Sequence, residues 1–324
     1  MYFRFLLVFL SGFFLLLASA PAAEPGPQYL VRTNLVYGRV GEMDLLLNAF
    51  LPAGATSAVP CIVDIHGGWW QGGGRAERLE GVGGWQWFRR HGLAVFSIDY
   101  RLGRQGGFPE NIRDCRNAIR YLRLHAAEFN IDPERIEVTG GSAGGHLSLM
   151  VAMVPEDFPD GGPLPELAGV SAHVAGSFSF IPPTDFVRFW QQGPEDAMTN
   201  ANGQVTYRGP DNKIPADSRP HLRTLFHGIT PDSPAHVELY RQMCPLGQVR
   251  PGLPPLLICD GEVDPIVPGL HGQALYTALQ AAGAKATYWL SPQGGHAFPS
   301  GPGFDQVLDQ FLVASLKLPV VSHE

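Results

Sequence analysis

Between Arg135 and Leu149 the chain reads R-I-E-V-T-G-G-S-A-G-G-H-L-S-L, a short apolar strand that runs through a glycine-flanked serine into an apolar helix. Gly140 and Gly144 stand where a Cβ would collide with neighbouring backbone. The spacing therefore predicts a strained strand-to-helix turn with the Ser142 hydroxyl exposed at its tip. Such a turn aims the N-terminus of the following helix at the serine, and the N–H of Ala143 is placed to donate to an oxygen that gains negative charge there. A dinucleotide-binding loop would need G-x-G-x-x-G after the first strand of the fold. This segment lies well into the chain and lacks that spacing. An incidental serine in a glycine-rich turn is the remaining alternative.

A turn of this kind belongs to an α/β sheet, and the flanking sequence reads as one. Pro60 to Ile65, Leu93 to Ile98, Arg135 to Thr139, Val170 to Ala175, Leu256 to Cys259 and Ala286 to Leu290 are apolar runs. Several alternate little, as parallel strands covered on both faces do. Asn111 to Phe129 reads as an amphipathic helix ending before Asp132-Pro133, and His271 to Ala282 as another, stopped by Gly283. Leu30 to Leu51 reads as an antiparallel hairpin turning at Gly41. The expected fold is a mostly parallel central sheet with helices on both faces. From Ile181 onward the chain is richer in Pro, Gly and polar residues, and a cap insertion is expected at about 181–250.

An exposed serine nucleophile requires a base and an orienting acid at the ends of later strands. The apolar run Leu256 to Cys259 opens into a loop with three carboxylates, Asp260, Glu262 and Asp264. Asp264, deepest in the loop and just before Pro265, is the expected acid; the other two compete with it as solvated or turn-shaping groups. The next strand leads into Gly294-Gly295-His296, which presents His296 as the base. The other histidines read as packing or surface residues: His91 and His125 on helices, His146 behind the serine, and His221, His227 and His236 in the cap without the spacing of a zinc site. The run Ile62 to Ile65 exits into His66-Gly67-Gly68-Trp69-Trp70. Its glycines let backbone N–H groups of Gly67 and Gly68 approach a substrate carbonyl. Trp69, Trp70, Trp85 and Trp87 are expected to line the mouth, with Trp69 and Trp70 touching substrate, though packing alone would equally explain some of them. Asp185, in Pro182-Pro183-Thr184-Asp185, is expected to fix the start of the cap.

Composition bounds the partners. With 324 residues, 45% of them hydrophobic, one catalytic domain over 23–324 is the default. The formal net charge of −7 and the absence of a Lys/Arg run argue against nucleic acid. Arg4, the apolar stretch Phe5 to Leu17 and the small residues Ala18 to Ala23 read as a secretory signal peptide over 1–22. The mature chain is then expected to be secreted or periplasmic, with no stable membrane association. Cys61, Cys115, Cys244 and Cys259 are scattered and expected to be buried free thiols. No internal repeat appears, and no oligomeric state is specified.

Taken together, His66-Gly67-Gly68-Trp69-Trp70, Asp99-Tyr100-Arg101-Leu102 with Phe108-Pro109, Asp132-Pro133-Glu134-Arg135-Ile136, Gly140 to His146, Asp260 to Pro268 and Gly294-Gly295-His296 resemble the alpha/beta-hydrolase superfamily. Within it the chain is similar to the secreted carbohydrate-esterase and feruloyl-esterase-like branch related to the hormone-sensitive lipase family. The resemblance implies the alpha/beta-hydrolase fold, a Ser142, Asp264, His296 triad, oxyanion donors from Gly67, Gly68 and Ala143, no cofactor and no metal. It implies a serine carboxylesterase acting on short acyl or hydroxycinnamoyl esters of small molecules or oligosaccharides. Trp69 stands where that branch usually has a third glycine, and Asp260 where its acid loop usually has histidine. The aromatic pair after His-Gly-Gly is also similar to kynurenine formamidase, an amide hydrolase that is normally intracellular, against which the signal peptide weighs. A prolyl-oligopeptidase-like peptidase would carry Tyr at Ala143 and a propeller domain. A non-catalytic binding module on this fold would commonly have lost a triad member, and a long-chain lipase would want a broad apolar lid.

Overall fold

Apolar runs separated by glycine- and proline-rich turns assemble into an eight-stranded sheet in the order β1-β2-β4-β3-β5-β6-β7-β8. The computed structural model describes residues 28–76, 88, 91–191, 217–298 and 302–319. The expected signal segment, Trp85, Trp87 and the middle of the 181–250 insertion lie outside the described residues. β1 (Tyr29–Val40) and β2 (Met43–Pro52) form the antiparallel hairpin read from the sequence, turning at Gly41 with φ +60°. β2 also runs antiparallel to β4 (Ala94–Ile98). From β4 onward, β3 (Val59–Ile65), β5 (Ile131–Gly141), β6 (Gly176–Phe180), β7 (Leu256–Gly261) and β8 (Ala286–Ser291) are parallel.

Period-two alternation divides these strands between two covered faces. Val63, Ile65, Phe96, Ile98, Val138, Leu256 and Ile258 pack with the apolar stripes of α1 (Glu110–Leu124), α3 (Ala143–Met153) and α7 (Leu270–Ala281). Ile62, Val95, Phe178, Phe180, Leu257 and Cys259 face the other way, onto Phe304, Leu308, Phe311 and Leu312 of α8 (Pro302–Leu316). Between β6 and β7 the chain forms α4 (Phe186–Gln191), α5 (Arg219–Leu225) and α6 (Pro234–Gln242). All four cysteines are buried and free, as expected.

Two expectations are corrected. The expected helix from Asn111 to Phe129 is interrupted at His125; a separate turn, α2 (Ala126–Phe129), follows, and Asn130 closes it in the left-handed conformation. The strand expected at Val170 to Ala175 lies further on, at Gly176–Phe180. Its apolar content does not make a strand because most of its backbone groups are taken by side chains, with only Ala175 N reaching β5, at the Ile136 carbonyl. Arg120 Nε donates to the Val170 carbonyl, Arg123 to those of Ser171 and His173, and the Ala172 N–H to Glu156.

Glu137 sits wholly buried on β5, where Ser315 of α8 donates to its Oε2 at 2.8 Å. Burial pushes its carboxyl from the ordinary 4.5 up to about 8, with the Ser315 hydrogen bond opposing. Between those values the folded protein keeps a proton that the unfolded chain has released. The stability this contributes is full below pH 4.5 and is lost as pH rises towards 8, with a slope of at most about 1.4 kcal/mol per pH unit. Glu137→Gln keeps the shape and is neutral at every pH. Urea denaturation across this range should show the variant gaining on the wild type as pH rises, and a pH-independent difference would refute the assignment.

Candidate active site

The turn after β5 is built as the glycine spacing requires. Ser142, the residue before α3, has φ 57° and ψ −121°, a conformation that costs on the order of 1–3 kcal/mol. Its N–H donates to the Phe180 carbonyl at 2.9 Å and its carbonyl accepts from His146 N at 3.0 Å. A Cβ on Gly140 would lie 2.5 Å from the Ile65 carbonyl oxygen, and one on Gly144 would overlap the carbonyls of Ile65 and His66. The end of β3 therefore crosses directly over the turn. Gly145 allows a further approach, since its Cβ would come within 2.7 Å of the Phe180 carbonyl oxygen. Ala143 opens α3, so its N–H has no acceptor within the helix.

The loop after β3 brings Gly67 against this turn: a Cβ there would stand 2.9 Å from the Gly141 carbonyl oxygen and 3.6 Å from Ser142 Cβ. Gly68, at φ +101°, starts a tight reversal in which its carbonyl accepts from Gln71 N and Gly72 N, both at 3.0 Å. The loop is clamped at both ends. His66 stacks on Tyr100 at 4.3 Å, and the Tyr100 hydroxyl donates to the His66 carbonyl. Arg75 pairs with Asp99 and donates its N–H to the same carboxylate at 2.8 Å.

Of the three carboxylates in the loop after β7, Asp264 is the one that meets His296, with Nδ1 2.7 Å from Oδ2. Its other oxygen accepts from the N–H groups of Ile266 and Val267 at 2.7 and 3.0 Å. With these donors the buried carboxylate is fixed as an acceptor. Glu262 shapes the adjoining turn by accepting from Gln293 N at 3.1 Å. Asp260 is buried against the N-terminal turn of α7, and burial drives its carboxyl well above the usual range; the Tyr288 hydroxyl opposes this and the Asp264 charge adds to it. The histidine loop lies directly on the acid loop, with Val263 N donating to the Gly294 carbonyl at 2.9 Å.

Trp70 is corrected from a substrate contact to a core residue. It is 1% exposed, its ring meets His146 and Phe186 edge-on, and its Nε1 donates to His146 Nδ1 at 3.2 Å. Left-handed backbone at both Trp69 and Trp70, φ 57° and 58°, accompanies this inward course. The need of a buried indole N–H for an acceptor was the available signal. His146 Nε2 donates to the Met243 carbonyl at 2.9 Å, and burial pushes this imidazole down to about 4, with the Met243 contact opposing. It is a neutral structural bridge. Trp69 stays half-buried, stacked on His221 of α5 at 4.3 Å and parallel to Phe189 of α4 at 6.0 Å. Asp185 opens α4, its Oδ1 accepting from Arg188 N at 3.0 Å, as expected. Phe298, given no role from the sequence, lies against Gly141.

Trp70→Phe removes the donor to His146 Nδ1 and should cost about 1–3 kcal/mol in urea denaturation for the orphaned acceptor alone. The KM for whatever substrate the site takes should stay essentially unchanged. A large rise in KM without loss of stability would return Trp70 to the substrate site.

With this geometry the chain can be set beside known proteins. The BD-FAE family model matches residues 47–279. The chain is 26% identical to the probable carboxylic ester hydrolase LipM of Mycobacterium tuberculosis over 81% of its own length and 54% of that protein. It is 26% identical to esterase LipC of the same organism over 84% of its length and 60% of that protein. It thus spans little more than half the length of these curated relatives. Among solved structures it is similar to a truncated carbohydrate esterase from gut microbiota, with TM-score 0.71, 25% identity, and coverage of 90% of this chain and all of that one. Propionate-bound esterase 2 of Thermogutta terrifontis superposes with TM-score 0.65 at 26% identity, covering 93% and 99% of the two chains. These neighbours share the alpha/beta-hydrolase architecture expected from the sequence.

Proposed function

This chain belongs to the BD-FAE family, and from that premise we propose that it is a secreted serine carboxylesterase in which Ser142, His296 and Asp264 form the triad. The observation that carries the reading is the Asp264–His296 pair, 2.7 Å apart, at the same sheet edge as a serine held in left-handed backbone. Asp264 fixes the Nδ1–H tautomer of His296 and leaves Nε2 to take the Ser142 proton. The Ser142 oxygen attacks the ester carbonyl, and the developing oxyanion is met by N–H groups of Gly67, Gly68 and Ala143. His296 returns the proton to the leaving alcohol. Water, deprotonated by the same imidazole, then releases the acid and restores Ser142.

The esters we propose are short acyl or hydroxycinnamoyl decorations on oligosaccharides. Support comes from the likeness to a gut-microbiota carbohydrate esterase and from the signal-like residues at 1–22. The same reading places one catalytic domain at 23–324, with the 181–250 insertion as its cap. Substrate choice is then a property of the cap and of Trp69, which packs against it.

The test is hydrolysis of p-nitrophenyl esters from acetate to decanoate, of methyl ferulate and of acetylated oligosaccharide. Ser142→Ala should reduce turnover to background, and Asp264→Asn should lower kcat by about 10⁴. Hydrolysis indifferent to Ser142 would end the triad reading. Activity on p-nitrophenyl esters without release of acetate or ferulate from any decorated sugar would end the substrate reading alone.

A further inference from the structure

We infer that Phe298 is the positioning residue that holds His296 at Ser142. The hydrogen bonds of the histidine loop, Glu262 N to Ser291 O, Val263 N to Gly294 O, Gln293 N to Glu262 Oε2 and His296 Nδ1 to Asp264 Oδ2, join it to the acid loop. None of them reaches the serine turn. Phe298, two residues beyond the histidine, does. A Cβ on Gly141 would lie 2.5 Å from Phe298 Cζ, so the ring rests directly on the residue before Ser142. Its edge meets Phe180 at 4.8 Å and 73°. The Phe180 carbonyl is the acceptor of the Ser142 N–H. One aromatic ring thus spans the sheet edge from the base to both supports of the nucleophile.

This arrangement also accounts for Gly141. The turn requires glycine at 140 and 144, where β3 crosses it. At 141 the backbone has ordinary φ, and what excludes a side chain is the Phe298 ring. The two residues are a matched pair. With the ring gone, Asp264 still holds Nδ1, but among the described residues no hydrogen bond ties the imidazole or its loop to the serine turn. An error of about 1 Å in such a placement costs on the order of 10²-fold in rate.

The inference rests on the proposed triad, and its test separates the two. Phe298→Ala should lower kcat for p-nitrophenyl acetate by about 10²-fold with KM changed less than about threefold, and Phe298→Leu should recover most of that loss. Gly141→Ala should lower kcat in the wild-type background and much less beside Phe298→Ala, because the clash it creates is with the ring. Phe311→Ala, on the same sheet face but remote from the loop, should lower Tm and spare kcat. A Phe298→Ala kcat within about threefold of wild type, or additive effects of the two substitutions, would overturn the inference. If Phe298→Ala does not fold, Phe298→Leu and Gly141→Ala carry the same comparison. The Cε1–H proton of the His296 ring in NMR reads the swing of the imidazole without turnover: it should broaden or shift in Phe298→Ala and stay as in the wild type in Phe298→Leu. An unchanged signal would count against positioning even if no ester were hydrolysed.

Discussion

The carbonyl oxygens of Ile65 and His66 occupy the space where side chains of residues 140 and 144 would be. That crossing of β3 over the turn after β5 is the constraint from which the rest of the site follows. It admits glycine alone at both positions and brings Gly67 beside Ser142. It also leaves Ser142 in backbone that an isolated chain would avoid. The strain is offset by what surrounds it. The Phe180 carbonyl takes the Ser142 N–H, α3 is buried along its length, and Ser148 of that helix meets Ser179 of β6 at 2.7 Å. The strained turn is held by the most deeply buried part of the molecule.

The imidazoles of His146, His271 and His296 are separated by their surroundings. His146 and His271 are wholly buried, and burial lowers them to about 4 and about 3. Each therefore serves as a neutral hydrogen-bonding bridge. His271 Nδ1 accepts from the N–H groups of Thr184 and Asp185 at 3.2 and 3.3 Å, tying the start of the inserted helices to α7. His296 alone among the three is partly exposed and faces a buried carboxylate. The same side chain is scaffold in two places and, in the third, a partly exposed ring held by a carboxylate.

Much of this was legible in the sequence because the constraints are local. The G-G-S-A-G-G run, the apolar strand before it and the loops at 264 and 296 each carry a backbone or chemical requirement that few residues meet. The structure unites Asp264 with His296 as that reading required, and it separates Asp264 from Asp260 and Glu262, which composition alone left in competition. The losses came where tertiary contacts override local pattern. Val170 to Ala175 is apolar enough for a strand, yet arginines from α1 claim its carbonyls. Trp70 reads from the sequence as equally fit for the mouth or the core, because its acceptor, His146, stands 76 residues away. Phe298 was passed over because its partner, Gly141, carries no side chain to advertise the contact.

The sheet order has a temporal side. Among the described residues β8 is an edge strand that pairs with β7 alone, and it is the last strand in sequence. The serine turn, the Gly67 loop and the acid loop all come from strands that precede it. A polypeptide emerging from its N-terminus completes each of these before the histidine loop exists. Until β8 zips onto β7 and its loop docks, Asp264 has no histidine against it. The sheet order thus makes the Asp264–His296 contact the last of these pieces to form in a chain that folds from its N-terminus.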